Sequence, residues 1–191
     1  MSAAHAPVRH EWEGLRLEEV REEHLPEILA IYNHYVVSST ATFHIAELGV
    51  DEMRGLVFHA DPRCRTFVSL DPATGRVAGY AGISRYSPRE AYDATASVHI
   101  YLAPDATGKG VGARVLRFVE RYAAGQGFHA LLALVTAENE RSGSLFRRMG
   151  YEPAGRLREV GRKFGRLLDV VIFERILAPG AASGAEPEDR P

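Results

Sequence analysis

The sequence has a single cysteine, Cys64, in 191 residues, which excludes an internal disulfide and a cysteine-rich zinc site. A reducing, cytoplasmic setting is the expectation that follows. No apolar run approaches the roughly 18 residues that a membrane-spanning helix needs. The opening MSAAHAPVRHEWEG also lacks the apolar stretch of a secretory signal. Charge of one sign is missing too: 23 Lys and Arg stand against 25 Asp and Glu, a formal net charge of −2. That balance argues against a general polyanion binder, so neither nucleic acid nor membrane is expected as a partner. No cluster of metal-ligating residues stands out, so no metal is expected either.

With 46% hydrophobic and 25% charged residues, the chain reads as one globular domain large enough to close a single core. That domain is expected over residues 14–177. Residues 1–13 and the end APGAASGAEPEDRP, 178–191, read as tails, because Pro, Gly, Ala and charges bury too little surface to order themselves.

Within the domain, LRLEEV alternates as a strand does, and Leu25, Ile28, Leu29, Tyr32 and Val36 recur at helical spacing. A short helix is predicted over Asp51–His59. RTFVSL and RVAGYAGISR flank the turn segment DPATG as a hairpin. TASVHIYL, 95–102, is a strand. VGARVLRFVERYAAGQG places Val111, Val115, Leu116, Val119 and Tyr122 on one helix face. ALLALVT reads as a strand covered on both sides, Glu138–Met149 as a helix stopped by Gly150, and the chain finishes in two more strands. The fold class is α/β of the α+β kind, with a strand–loop–helix–strand unit at its centre.

The loop of that unit, ATGKGVG, carries Gly108, Gly110 and Gly112 where a helix begins, a place where backbone N–H groups can approach a phosphate. A nucleotide P-loop requires Lys and then Ser or Thr after its last glycine, whereas Ala113 and Arg114 follow here. A dinucleotide fingerprint requires an acidic residue ending the next strand, but Glu138 lies beyond it. A coenzyme A pyrophosphate with Lys109 and Arg114 nearby fits, and so does a tight turn that binds nothing.

The same run resembles the acyl-CoA loop of the GNAT superfamily of N-acetyltransferases, Q/R-x-x-G-x-G/A, laid on Thr107 to Gly112, with Thr107 departing at the first position. IYNHYVVSSTATF, AYDATAS, IYLAP, AENERS and GRLREVGRKFGRLLDVV extend the resemblance over residues 15–177, more specifically to the phosphinothricin and methionine sulfoximine/sulfone acetyltransferase group. The resemblance implies a mixed, mostly antiparallel sheet, with helices on both faces, that splays between its fourth and fifth strands, here Thr95–Leu102 and Ala130–Thr136. It implies that acetyl-CoA is the cosubstrate and lies in the gap. Backbone groups of Tyr101, Leu102 and Ala103 would pair with it, with the Tyr101 N–H holding the thioester carbonyl. Thr107, Gly108, Lys109, Gly110, Val111, Gly112 and Ala113 would wrap the pyrophosphate. Asn139 and Ser142 would reach the cofactor from the next helix, or simply cap that helix.

The implied reaction is direct attack of a small amino-acid-like amine on the thioester, in a cytoplasmic homodimer. An amine of another kind (a polyamine, an aminoglycoside, a protein N-terminus) and a catalytically silent acyl-CoA-binding protein are the alternative readings. In the resembling group a glutamate on the strand is the presumed base, and it falls on Ser97 here. Ser97, His99 and Tyr101 share one strand face. His99 therefore becomes the candidate base, acting alone or through a water held by Ser97, with an ionisation expected near pH 6 to 7. A histidine satisfied by hydrogen bonds in a polar sheet face is the competing reading. Phe146, where such enzymes often carry a proton donor for the departing thiolate, reads as core. On the acceptor side, Arg89 suits a carboxylate or phosphinate, or is a solvated loop charge, with Arg85 a second candidate; Tyr92 would line the site, and Phe43 and Tyr32 either wall the pocket or belong to the core. Arg156 to Arg166 holds five Arg or Lys against one Glu, a basic hairpin in which Lys163 matches the group's pattern, as does Asp169 just beyond it.

Overall fold

A computed structural model describes residues 9–177 of the chain. The expected tails at 1–8 and 178–191 lie outside the described residues. The N-terminal tail expected through residue 13 requires correction: Arg9–Trp12 forms strand β1, antiparallel to β2 (Leu15–Glu19). The reason lies in two alternate side chains that a composition average hides. The rings of His10 and Trp12 lie 4.9 and 5.9 Å from that of Phe118, and the Trp12 indole N–H donates to the Arg114 carbonyl at 3.1 Å.

The chain continues through α1 (Leu25–Ser38), α2 (Val50–Val57), β3 (Thr66–Leu70) and β4 (Val77–Arg85). Then follow β5 (Thr95–Leu102), α3 (Val111–Gly125), β6 (Ala130–Thr136) and α4 (Glu140–Arg148). The hairpin β7 (Glu152–Lys163) and β8 (Arg166–Ile176) ends the domain. Its two-residue turn, Phe164-Gly165, has positive φ at both positions, the primed geometry that matches strand twist. The strands form one sheet in the order β1-β2-β3-β4-β5-β6-β8-β7, and β5–β6 is its parallel pair. Because β1 precedes the strands read from sequence, the splayed pair is fifth and sixth in this chain.

Each sheet face carries its own core. On one, Val115, Leu116 and Val119 of α3 and Phe146 of α4 pack with Val98, Leu131 and Phe173. On the other, Ile28, Tyr32 and Val36 of α1 and Met53 and Val57 of α2 pack over Val68 and Tyr80. Period-2 alternation in β5 divides its side chains between the two: Ala96, Val98, Ile100 and Leu102 join the first, and Tyr101 the second.

Thr66, Gly82 and His99 are successive partners across β3, β4 and β5. A Cβ on Gly82 would run into the Arg65 carbonyl oxygen and come within 2.7 Å of the Thr66 Cα, both of them backbone. Gly82→Ala therefore has to push β3 away from β4. We expect it to cost about 1–3 kcal/mol, the usual penalty of overpacking, read as a lower urea midpoint at unchanged m-value.

Candidate functional site

The helix start at the glycine loop carries unpaired backbone amides, the geometry that suits an anion. Gly108 (φ 78°) and Gly110 (φ 75°) occupy the left-handed region, where a side chain is strained. The turn they make leaves the N–H groups of Val111, Gly112 and Ala113, the first turn of α3, without helical acceptors. The first amide to be paired is Arg114, whose N–H donates to the Gly110 carbonyl at 3.3 Å. Arg114 itself turns its guanidinium away to the Glu13 carbonyl at 2.9 Å, so it does not supply the charge expected of it beside the loop. Lys109 is exposed at the loop. Thr107 folds its hydroxyl back to donate to Pro104 O at 2.8 Å.

A cavity of about 460 Å³ opens in front of these amides, lined by Thr107, Gly108, Gly110, Gly112 and Ala113. Its floor is Ile100, Tyr101 and Leu102, and its far wall comes from α4 and the residue before it. Asn139 caps α4, its Oδ1 accepting the Ser142 N–H at 3.1 Å, and both residues line the cavity. Arg141 and Arg148 line it as well, and sequence reasoning missed them. The signal was available, since Arg141, Ser142, Leu145 and Arg148 follow the i, i+1, i+4, i+7 spacing of one helix face. Tyr35 of α1, also missed, lines the cavity and donates its hydroxyl to the Leu102 carbonyl at 2.7 Å.

The cavity continues into a cleft in the sheet. β5 and β6 pair only over Thr95↔Ala130, Ala96↔Leu131 and Ser97↔Leu132, although β6 stays paired with β8 as far as Thr136. Beyond Ser97 the facing edges part. A smaller space of about 80 Å³ lies there, lined by His99, Leu134, Thr136 and Phe146, and it shares Ile100, Tyr101, Asn139 and Ser142 with the larger cavity.

Hydrogen bonds at the two ends of β5 fix which main-chain groups face the cleft. Tyr86 N–H donates to Thr95 O, and Ala103 N–H to Ala78 O. With the regular register between them, the odd-numbered residues of β5 direct N–H and C=O to β4, and the even-numbered ones direct theirs to the cleft. The N–H groups of Tyr101 and Ala103 are thus committed to β4. This corrects the sequence expectation: the donors on the open edge are Ile100 and Leu102, one residue to either side of Tyr101.

Ser97, His99 and Tyr101 lie opposite Ser84, Gly82 and Tyr80 of β4. Burial, together with the neighbouring His59, pushes the His99 pKa down to about 4, below the expected window of 6 to 7. Its Nε2 stands 3.5 Å from Thr66 Oγ1, and its ring lies 6.2 Å from that of Tyr80. The Tyr101 ring stacks on Tyr80 at 5.4 Å and meets Tyr32 edge-on at 5.1 Å. Burial raises the pKa of the Tyr101 hydroxyl well above the ordinary phenol value. Phe146 is core, as read from sequence.

The acceptor-side candidates are dispersed. Arg85 is drawn to Asp61 and Asp93, which Arg63 also bridges. Arg89 is exposed, and among the described residues its guanidinium has no partner. Tyr92 is half-exposed against Tyr86, their rings 5.2 Å apart. Phe43 packs on Gly161 of β7, in a loop tied down by Glu138, which joins Thr40 to Arg166. Arg89, Tyr92 and Phe43 do not line the two cavities. Lys163 is buried, donating to the Thr42 carbonyl at 2.8 Å, and burial lowers its pKa. Asp169 holds Arg156 and the Glu159 N–H at the irregular stretch of β7.

Among the described residues no cluster of three or more His, Cys, Asp or Glu stands close enough to hold a metal, and no helix is long and apolar enough to cross a membrane. The sequence pattern described as "Acetyltransferase (GNAT) family" matches residues 19–151. A phosphinothricin N-acetyltransferase of Streptomyces coelicolor is 35% identical over 158 residues, spanning 82% of this chain and 92% of that one. An L-methionine sulfoximine/L-methionine sulfone acetyltransferase of Pseudomonas aeruginosa is likewise 35% identical over 158 residues, 81% and 90% of the two chains. Among solved structures, a GNAT superfamily phosphinothricin acetyltransferase from Sinorhizobium meliloti in complex with AcCoA superposes with a TM-score of 0.81 at 29% identity, covering 91% and 94%. The matched pattern, the splayed parallel pair and the helix-start amides agree: this chain belongs to the GNAT family of acetyltransferases.

Proposed function

We propose that the protein transfers the acetyl group of acetyl-CoA to the primary amine of a small amino-acid-like acceptor, of the phosphinothricin or methionine sulfoximine/sulfone type, in the cytoplasm. The observation that carries this reading is the open edge of β5, where Ile100 and Leu102 present main-chain groups to a cavity that runs to the unpaired amides of α3. An extended, amide-bearing arm pairs with such an edge as an added strand would. A pyrophosphate suits the α3 start, where N–H groups and helix dipole converge, with Arg141 and Arg148 adding charge. The names of the 35%-identical relatives support the acceptor class.

Acetyl-CoA supplies an activated acyl thioester. Gly108 to Ala113 hold its phosphates, and Asn139 and Ser142 contact its arm. The Ile100 N–H donates to the carbonyl oxygen as negative charge gathers there, the role that sequence reasoning gave to Tyr101. As the acceptor nitrogen bonds to carbon it becomes a strong acid, so a neutral imidazole of low basicity is sufficient to take its proton. His99 is that imidazole, with Ser97 positioned to hold an intervening water. A thiol with a pKa near the free-cysteine value of about 8.5 departs without a donor, so Phe146 is tolerated. In this reading Arg89 binds the acceptor's anion from outside the two cavities, with Tyr92 and Phe43 as further, separate acceptor contacts and Tyr101 beneath the reacting groups. Leu157, Val160, Phe164 and Leu167 of the last hairpin are 42–53% exposed, an apolar surface suited to a second copy of the chain.

Thiol release from acetyl-CoA is expected with phosphinothricin or methionine sulfoximine, and not with polyamines, aminoglycosides or peptides. Tight coenzyme A binding without turnover on any amine would instead favour a silent binder. Gly110→Val is expected to raise the acetyl-CoA Kd at least tenfold by straining the loop, measured by calorimetry. The neutral form of His99 exists above its pKa of about 4 and is lost as pH falls through that value. Accordingly, kcat/KM is expected to follow the acceptor's own ionisation, with no contribution from His99 between pH 6 and 7, and His99→Ala is expected to lower kcat about 100-fold. A wild-type ionisation near 6.5 that vanishes in the variant would contradict this. For the dimer, light scattering should give twice the chain mass, and Val160→Arg with Phe164→Glu should give the monomer.

A further inference from the structure

We propose that Thr66 and His59 join His99 in a proton relay across the sheet, replacing the carboxylate that Ser97 lacks; this rests on the acetyl-transfer reading above. Three neighbouring strands place the parts in line. Thr66, Gly82 and His99 are partners in register, and with no side chain at Gly82 the Thr66 Oγ1 comes within 2.8 Å of where a Cβ would stand on β4. Thr66 Oγ1 is 3.5 Å from His99 Nε2 and 3.3 Å from His59 Nε2, with the two imidazole centroids 6.3 Å apart. Thr66 is fully buried, and among the described residues these two ring nitrogens are the partners its hydroxyl has. His59, in the segment after α2, is half-buried. The separations are long for hydrogen bonds, as those of catalytic groups are before a substrate draws them together.

A hydroxyl has one proton, so it donates to one ring nitrogen and accepts from the other. In the productive direction His99 Nε2–H donates to Thr66, and Thr66 O–H donates to His59 Nε2. His99 Nδ1 is then a bare acceptor, and His99 is among the residues that line the smaller space. When Nδ1 takes the proton of the acylated nitrogen, the Nε2–H bond breaks and its proton passes to Thr66 Oγ1. The proton of Thr66 passes to His59 Nε2, and His59 Nδ1 releases one to water. One proton leaves the amine and one enters solvent, and no charge has to rest on His99. The groups that face the two rings are the Tyr80 phenol beside His99, and Arg65 and Asp61 beside His59. Burial lowers the pKa of both imidazoles, keeping the pair neutral between turnovers.

The test compares Thr66→Val, Thr66→Ser, His59→Gln and His59→Gly with His99→Ala and the wild type, using acetyl-CoA and whichever of the amines named above is turned over fastest. We expect Thr66→Val and His59→Gln to lower kcat tenfold or more with the KM for acetyl-CoA within twofold, Thr66→Ser to retain kcat within threefold, and imidazole to restore turnover to His59→Gly. Wild-type kcat in Thr66→Val overturns the relay. If His99→Ala is nonetheless impaired, His99 stands as the base without it, and a wild type that acetylates no acceptor fails the acetyl-transfer reading itself. Imidazole 15N shifts at pH 7 give a readout independent of turnover: His99 should be protonated at Nε2 in the wild type and lose that preference in Thr66→Val. Protonation at Nδ1 overturns the proposal.

Discussion

The structure turns on a break in one ladder. Pairing between β5 and β6 ends at Ser97 and Leu132, leaving the even-numbered main-chain groups of β5 with no strand to bond. An interior backbone N–H without a partner costs about 1–3 kcal/mol, so a sheet leaves such a gap only where something else fills it. The chain meets part of that cost itself, because the Tyr35 hydroxyl donates to the Leu102 carbonyl. What stays open lines the larger cavity, which reaches the unpaired amides of α3 because the crossover places that helix start at the strand ends.

The two sheet faces carry different chemistry for the same geometric reason. Alternation sends Val98, Ile100 and Leu102 into the core under α3, and turns Ser97, His99 and Tyr101 toward α1 and α2. His99 is thereby enclosed among Thr66, Tyr80 and His59 rather than standing in water, which depresses its basicity. The Thr66 hydroxyl approaches His99 beside Gly82, and a Cβ there would stand 2.8 Å from that hydroxyl, so the contact depends on the glycine.

Most elements and the glycine loop were legible in the sequence, because helical and strand periodicities and turn residues act locally. The β1 strand was not, since only the pairing of His10 and Trp12 with Phe118 distinguishes it from a polar tail. Arg114 was read as a phosphate partner from its nearness in sequence, but its guanidinium bonds to the Glu13 carbonyl, a contact 101 residues away along the chain. Arg141 and Arg148 were overlooked, although their helical spacing was readable.

By itself the sequence determined the family, the glycine loop at a helix start and the identity of the residue that stands where a glutamate was expected. These rest on residue type and spacing, which need no third dimension. Tertiary structure decided what those residues can do. Register across three strands chose Ile100 over Tyr101 as the open donor, and burial beside His59 set the basicity of His99. Hydrogen-bond direction and desolvation are properties of neighbours brought together by folding, and no window of the sequence contains them.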